Sequence, residues 1–179
     1  MRKLKHHEID RPTPEALSSM ERHPIIVLVE NIRSAHNVGS ILRTSDAVRA
    51  ERVFLTGFSP PASHRGVHKS ALGAQDTVPW QHVQSSVEIA TRLKADGVTL
   101  VALELTTNPT RSEDLPGDIF PVCLMVGNEI EGLSEDLLAW ADFALEIPQY
   151  GAKQSLNVSV ATGIAMYDLL RLYLDRRGN

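Results

Sequence analysis

From residue 24 onward the chain alternates short apolar, β-branched runs with longer stretches in which apolar residues return every three or four positions. That is the pattern of βαβ units around a mainly parallel sheet flanked by helices, an α/β fold. The runs that read as strands are 25–29, 52–56, 77–80, 98–103, 122–126 and 143–147. Several are nearly continuous in apolar character, as strands covered on both faces must be. Between them, 37–48 sets Val38, Ile41, Leu42 and Ser45 on one helical face, and 87–93 does the same with Val87, Ala90 and Leu93. Ser134 reads as the N-cap of a third helix, with Glu135 and Asp136 in the first turn, where the helix dipole favours negative charge. The last helix is expected over 156–175, with Arg171, Arg176 and Arg177 suited to its C-terminal end.

Residues 1–23 lack this periodicity and contain Pro12 and Pro14, so they read as an arm with one short helix near 15–22. Arg2, Lys3, Lys5 and Arg11 of the arm suit phosphate contacts and a solubilising tail equally well. Residues 24–179 then form a single domain, consistent with 179 residues of which 42% are hydrophobic and 22% charged. With 22 acidic against 18 basic side chains the formal charge is -4, so no global positive field marks a nucleic-acid partner and any such binding uses a local patch. The longest apolar runs, such as 25–29 and 122–126, are five residues, against the ~20 of a membrane-spanning helix. The N-terminus has no apolar secretory core and the one cysteine, Cys123, has no intrachain partner, which together point to a reducing cytoplasm.

Three polar clusters fall at strand ends, where open α/β sheets bind ligands. The first runs from Glu30 to Arg43, a polar loop feeding a helix with Asn37 near its cap. Arg43 offers a planar fork for an anion, or simply an exposed charge on a capped helix. The second, from Gly127 to Ser134, sets two glycines around Glu129 and lets a ligand approach the backbone closely. The third, 147–157, is a polar loop ending in Ser155 and Asn157, either of which suits the cap of the last helix. His64 and His68 stand four apart, but Pro60, Pro61 and Gly66 argue against a helix there and no third ligand is near, so no metal is expected. Cys123 sits inside an apolar strand as a small buried hydrophobe, and neither a Walker A sequence nor a Gly-x-Gly-x-x-Gly turn is present.

Taken in order, the clusters resemble the three motifs of the SpoU/TrmH family of RNA ribose 2′-O-methyltransferases, within the SPOUT superfamily. Motif one resembles Asn37-Val38-Gly39-Ser40-Ile41-Leu42-Arg43-Thr44, and motif two Leu124 to Leu133. Motif three resembles Ile147-Pro148 followed by Ser155-Leu156-Asn157-Val158-Ser159-Val160-Ala161. The segment Ala71-Leu72-Gly73-Ala74 is similar to the small-residue stretch between motifs one and two, so the resemblance covers roughly 24–171. The chain departs from the pattern at Gln149, where Met often follows Ile-Pro, and at Ala50, where Gly often ends the first motif's helix.

The resemblance implies a parallel sheet with a C-terminal deep trefoil knot and a homodimer whose active sites are completed across the interface. It implies S-adenosylmethionine as cofactor, held by Leu103, Glu104, Gly127, Asn128, Ile147, Ser155 and Leu156. It implies a catalytic group of Asn37, Arg43, Glu129, Ser155 and Asn157. An arginine stays protonated, so Arg43 is read as gripping an RNA phosphate and polarising the ribose hydroxyl, with phosphate or water taking the proton. RNA recognition would then fall to the dimer, the arm and Arg65, His68 and Lys69. The expected substrate is tRNA first and rRNA second. A noncatalytic RNA-binding dimer and a base-methylating relative remain the alternatives.

Overall fold

The computed structural model describes residues 1–178. Its centre is a six-stranded sheet in the order β3-β2-β1-β5-β4-β6, with every strand pair parallel. The strands are β1 (His23–Glu30), β2 (Ala50–Thr56), β3 (Trp80–Val83), β4 (Thr99–Leu103), β5 (Val122–Val126) and β6 (Phe143–Leu145). The helices are α1 (Pro14–Ser19), α2 (Ala35–Ala47), α3 (Arg65–Ala71), α4 (Ala74–Thr77), α5 (Ser86–Ala95), α6 (Glu135–Leu138) and α7 (Val158–Arg177). Among the described residues no helix is long and apolar enough to cross a membrane.

Strand periodicity divides the core in two. Ile25, Val27 and Val29 of β1 face α2, α3 and α7, whereas Ile26 and Leu28 face α5 and α6. Each such side chain, fully removed from water, stabilises the fold by about 1.5–3 kcal/mol. This double cover is why β1 and β5 read as unbroken apolar runs. On the first face α2 and α3 approach closely: a Cβ on Gly39 would collide with Ser70 Oγ and the Val67 carbonyl. Ser70 Oγ donates to the His36 carbonyl at 2.9 Å and fastens the two helices.

Four local expectations are corrected. The third strand is 80–83, not 77–80, because Gly73 at φ +97° opens the short helix α4 and the Thr77 hydroxyl donates to Asp46 Oδ1 at 2.5 Å. A helix does form at 65–71: His64 caps it, its Nδ1 accepting from Gly66 N at 3.0 Å, and Gly66 lets it lie against Ala35. The last strand ends at Leu145, opposite the final residue of β4, so Ile147 lies outside it. The last helix begins at Val158, and Asn157 is the residue that caps it.

In the arm, Arg2 is paired with Glu8. Arg22 is turned inward, donating to the carbonyls of Ala50 and Thr77.

Candidate active site

The chain crosses from β3 back to β4 on the far side of β1, so β1 and β5 lie at the topological switch of the sheet, where such folds open a crevice. The C-terminal ends of β4, β5 and β6 frame a cavity of about 370 Å³ there. Leu103 and Glu104 line it from the end of β4, Gly127 and Asn128 from β5, Ile147 from the segment after β6, and Ser155 and Leu156 from the approach to α7.

The loop after β5 is held shut by its own backbone. Asn128 N donates to the Gly132 carbonyl at 2.9 Å, and Gly132 N returns to the Asn128 carbonyl at 3.0 Å. The hairpin passes so close to Gly127 that a Cβ there would collide with the Gly132 carbonyl carbon and Leu133 N. Asn128 is 6% exposed and spends its amide on this loop: Nδ2 donates to the Asn31 carbonyl, while Oδ1 accepts from Ile130 N and Glu131 N. Its part in the cavity is therefore to shape it. Glu104 accepts from Leu133 N and Leu105 N, both at 2.9 Å, tying β4 to the same loop.

One hydrogen-bond chain joins the three polar clusters of the sequence. Asn157 Nδ2 donates to Asn37 Oδ1 at 3.2 Å, and Asn37 Nδ2 donates to Glu129 Oε1 at 2.9 Å. Glu129 also accepts the backbone N–H groups of Arg33 at 3.1 Å and Ser34 at 3.2 Å. Partial burial pushes the Glu129 carboxyl up, but the donors from Arg33, Asn37 and Ser34, with its own backbone N–H, outweigh that and hold its pKa below the usual carboxylate value. Glu129 is thus an anion at neutral pH, and its charge fixes which way the Asn37 amide points.

Arg43 lies elsewhere. Six residues along α2 from Asn37, it is exposed and lines a separate groove of about 470 Å³ with Ser40, Lys69 and Tyr167. One chain therefore brings together Asn37, Glu129 and Asn157 at one place, sets Ser155 on the wall of the cavity, and leaves Arg43 in the neighbouring groove. Ser155 plays no part in capping α7.

Sequence reasoning passed over three supporting residues. Ser34, not Asn37, caps α2, its Oγ accepting from Asn37 N at 3.2 Å; the Ser-x-x-Asn spacing was the available signal. Asn31 takes a left-handed φ of 55° and presents its carbonyl to Asn128. Glu30, 3% exposed, gathers Ser86 Oγ, Ser134 Oγ and Ser134 N at the root of the loop. An acid closing an apolar strand was its only mark in the sequence.

Residues 24–167 match the model of the SpoU rRNA Methylase family. The chain belongs to this family. It is similar to a tRNA (guanosine(18)-2'-O)-methyltransferase of Aquifex aeolicus, 32% identical over 82% of this chain and 69% of the relative. It is also similar to the 23S rRNA (guanosine-2'-O-)-methyltransferase RlmB of Pseudomonas aeruginosa, 30% identical over 88% and 62% of the two chains. Among solved structures, an AdoMet-bound rRNA methyltransferase from Sinorhizobium meliloti superimposes with a TM-score of 0.76 at 28% identity, over 87% of this chain and 59% of that one. The chain spans about six-tenths of the length of several curated relatives it matches, 58%, 62% and 59% for three of them.

Proposed function

We propose that this protein transfers a methyl group from S-adenosylmethionine to a ribose 2′-hydroxyl of RNA. The observation that carries the reading is the joining of Asn37, Glu129 and Asn157 beside a cavity lined by Glu104, Glu129 and Glu146 and, among the described residues, by no lysine or arginine. An electron-poor, cationic ligand suits such a lining. S-adenosylmethionine carries a sulfonium and an ammonium against one carboxylate, and the apolar Leu103, Val126 and Leu156 suit its purine. A volume of about 370 Å³ is within the usual range for a ligand of that class. The solved relative with AdoMet bound supports the same ligand.

When bound, this cofactor supplies an electrophilic methyl carbon. The chain's own residues do the rest. Gly127 and Asn128 shape the loop after β5, Glu104 ties that loop to β4, and Ser155, Leu156 and Ile147 complete the lining. Asn37, oriented by Glu129 and Asn157, presents a fixed amide towards the ribose. Arg43 grips a backbone phosphate and polarises the hydroxyl, and phosphate or water takes the proton, since a guanidinium cannot.

Arg43 stands outside the cavity of its own chain, so a second copy is needed to bring it over a cofactor. α7 carries exposed Val160, Ile164 and Tyr167, at 51%, 39% and 52%, an apolar stripe of i, i+4, i+7 spacing suited to a homodimer seam. What supports the trefoil knot is the setting of β6: it pairs with β4 on one edge and with Thr110 on the other, so β4 and the segment that follows it hold both sides of the stretch that leads to α7. The domain is taken as 24–179 and the arm as 1–23. Between the tRNA and rRNA relatives we take tRNA as the first substrate and rRNA as the second, both found in the cytoplasm.

The test is incubation with labelled S-adenosylmethionine and total RNA lacking this modification, followed by digestion and identification of the labelled nucleoside. Label in a 2′-O-methyl nucleoside is the expected result. Label in a base would instead make the protein a base methyltransferase, and RNA binding without label in any RNA would make it a noncatalytic binding dimer. Ile164→Glu should shift the sedimenting species to monomer and abolish transfer; a fully active monomer would remove the shared site.

A further inference from the structure

We infer that α3 is an RNA-gripping element, and that Lys69 clamps a backbone phosphate of the RNA substrate together with Arg43 across the groove between α2 and α3. The inference rests on the methyltransferase reading for the nature of the anion and adds to it a second phosphate ligand. The groove, about 470 Å³, is lined by Arg43, Lys69 and His36, by the Ser40 hydroxyl and, from the seam face of α7, by Tyr167, with no carboxylate among the described residues that line it. Among the described residues, Arg43 and Lys69 make no ion pair, whereas five other cations do. In a chain of net charge -4, the frame of α2 and α3 sets two cations without an ion-pair partner on one groove.

That frame is rigid. Gly39 admits the backbone of α3 where a Cβ would collide with it, Gly66 does the same against Ala35, and Ser70 Oγ bonds the His36 carbonyl. Neither helix can swing away to separate the two charges. A phosphate offers what both cations and the Ser40 hydroxyl lack, a compact acceptor with oxygens in several directions. Arg43 and Lys69 are exposed, so the groove is open enough for a continuous backbone to cross it. Lys69 lines none of the neighbouring cavity, so its effect is confined to RNA.

The experiment compares wild type, Lys69→Gln, Lys69→Arg and, on the opposite face of the sheet, Arg92→Gln. RNA affinity is measured against salt, and transfer kinetics and S-adenosylmethionine binding are measured in parallel. Loss of one phosphate contact lowers the slope of log K against log salt by about 0.7–0.9. Lys69→Gln should show that decrease with RNA affinity about fivefold to tenfold weaker. Its KM for RNA should rise by more than its kcat falls, with cofactor affinity unchanged. Lys69→Arg should restore the slope and Arg92→Gln should keep it. An unchanged slope in Lys69→Gln, in an enzyme that still methylates RNA, overturns the clamp and leaves the activity standing. A lowered slope in a protein that methylates nothing keeps the clamp and removes the activity.

Discussion

The cavity at the strand ends and the groove between α2 and α3 are built by opposite means and carry opposite charge. The cavity at the strand ends is made by backbone, a hairpin closing over Gly127 and fixed by Asn128 and Glu104, and its ionisable lining is three glutamates. The groove between α2 and α3 is made by side chains standing on helices locked at Gly39 and Ser70, and its ionisable lining is cationic or histidine. The contrast assigns ligands: the first suits a small cation with an apolar body, the second a polyanion. A protein of net charge -4 needs such segregation, because only a local patch can attract RNA.

The strongest way to break this division is Arg43→Ala. If the groove serves RNA and the cavity serves the cofactor, kcat/KM for RNA should fall by about 10²–10³, as when a positioned charge-stabilising donor is removed elsewhere. S-adenosylmethionine affinity by calorimetry should stay within about twofold, well under 1.4 kcal/mol. Equal loss of both would merge the two sites into one. Gly127→Ala is the reciprocal test. Its Cβ must displace the Gly132–Leu133 backbone, an overpacking strain of about 1–3 kcal/mol, so cofactor affinity should fall about tenfold or more and Tm should drop. RNA affinity in the absence of cofactor should hold, and a parallel loss would show that the hairpin also supports the groove.

How much of this the sequence carried depends on whether a feature is local. Ile25–Val29 and Val122–Val126 were legible as covered strands because their apolar runs are themselves the consequence of burial on both faces. The three polar clusters were legible because each follows a strand end. The α3 helix was not, since Pro60, Pro61 and Gly66 look like breakers. Gly66 is there because Ala35 of another helix packs against it, a contact between residues distant in sequence. The strand at 80–83 was displaced for a similar reason: Thr77 is drawn into a helix end whose hydroxyl partner, Asp46, lies on α2. Motif order groups Asn37, Glu129 and Asn157, which one hydrogen-bond chain joins, with Arg43, which lies in the neighbouring groove. That separation was legible in the spacing, because six residues along α2 turn a side chain towards a different face.

The smallest effect concerns Glu129, and its sign is fixed by the environment. The folded pKa is lowered, so the charged form is favoured by folding. Its stabilisation is complete above the ordinary carboxylate pKa and is lost as pH falls through the lowered folded value. Glu129→Gln removes the charge while keeping a similar shape, and the side chain is largely solvent-facing, so the penalty at neutral pH should be about 1 kcal/mol or less after screening. Thermal melts at pH 7 should place the variant slightly below wild type, and the gap should close in acid once the wild-type carboxyl is protonated. Transfer should suffer a few-fold more than stability at neutral pH, because a glutamine in this position can offer its own N–H and so release the orientation of Asn37. A gap that widens in acid would mean that Glu129 is protonated in the folded state. The Asn157–Asn37–Glu129 chain would then run in the opposite hydrogen-bonding sense.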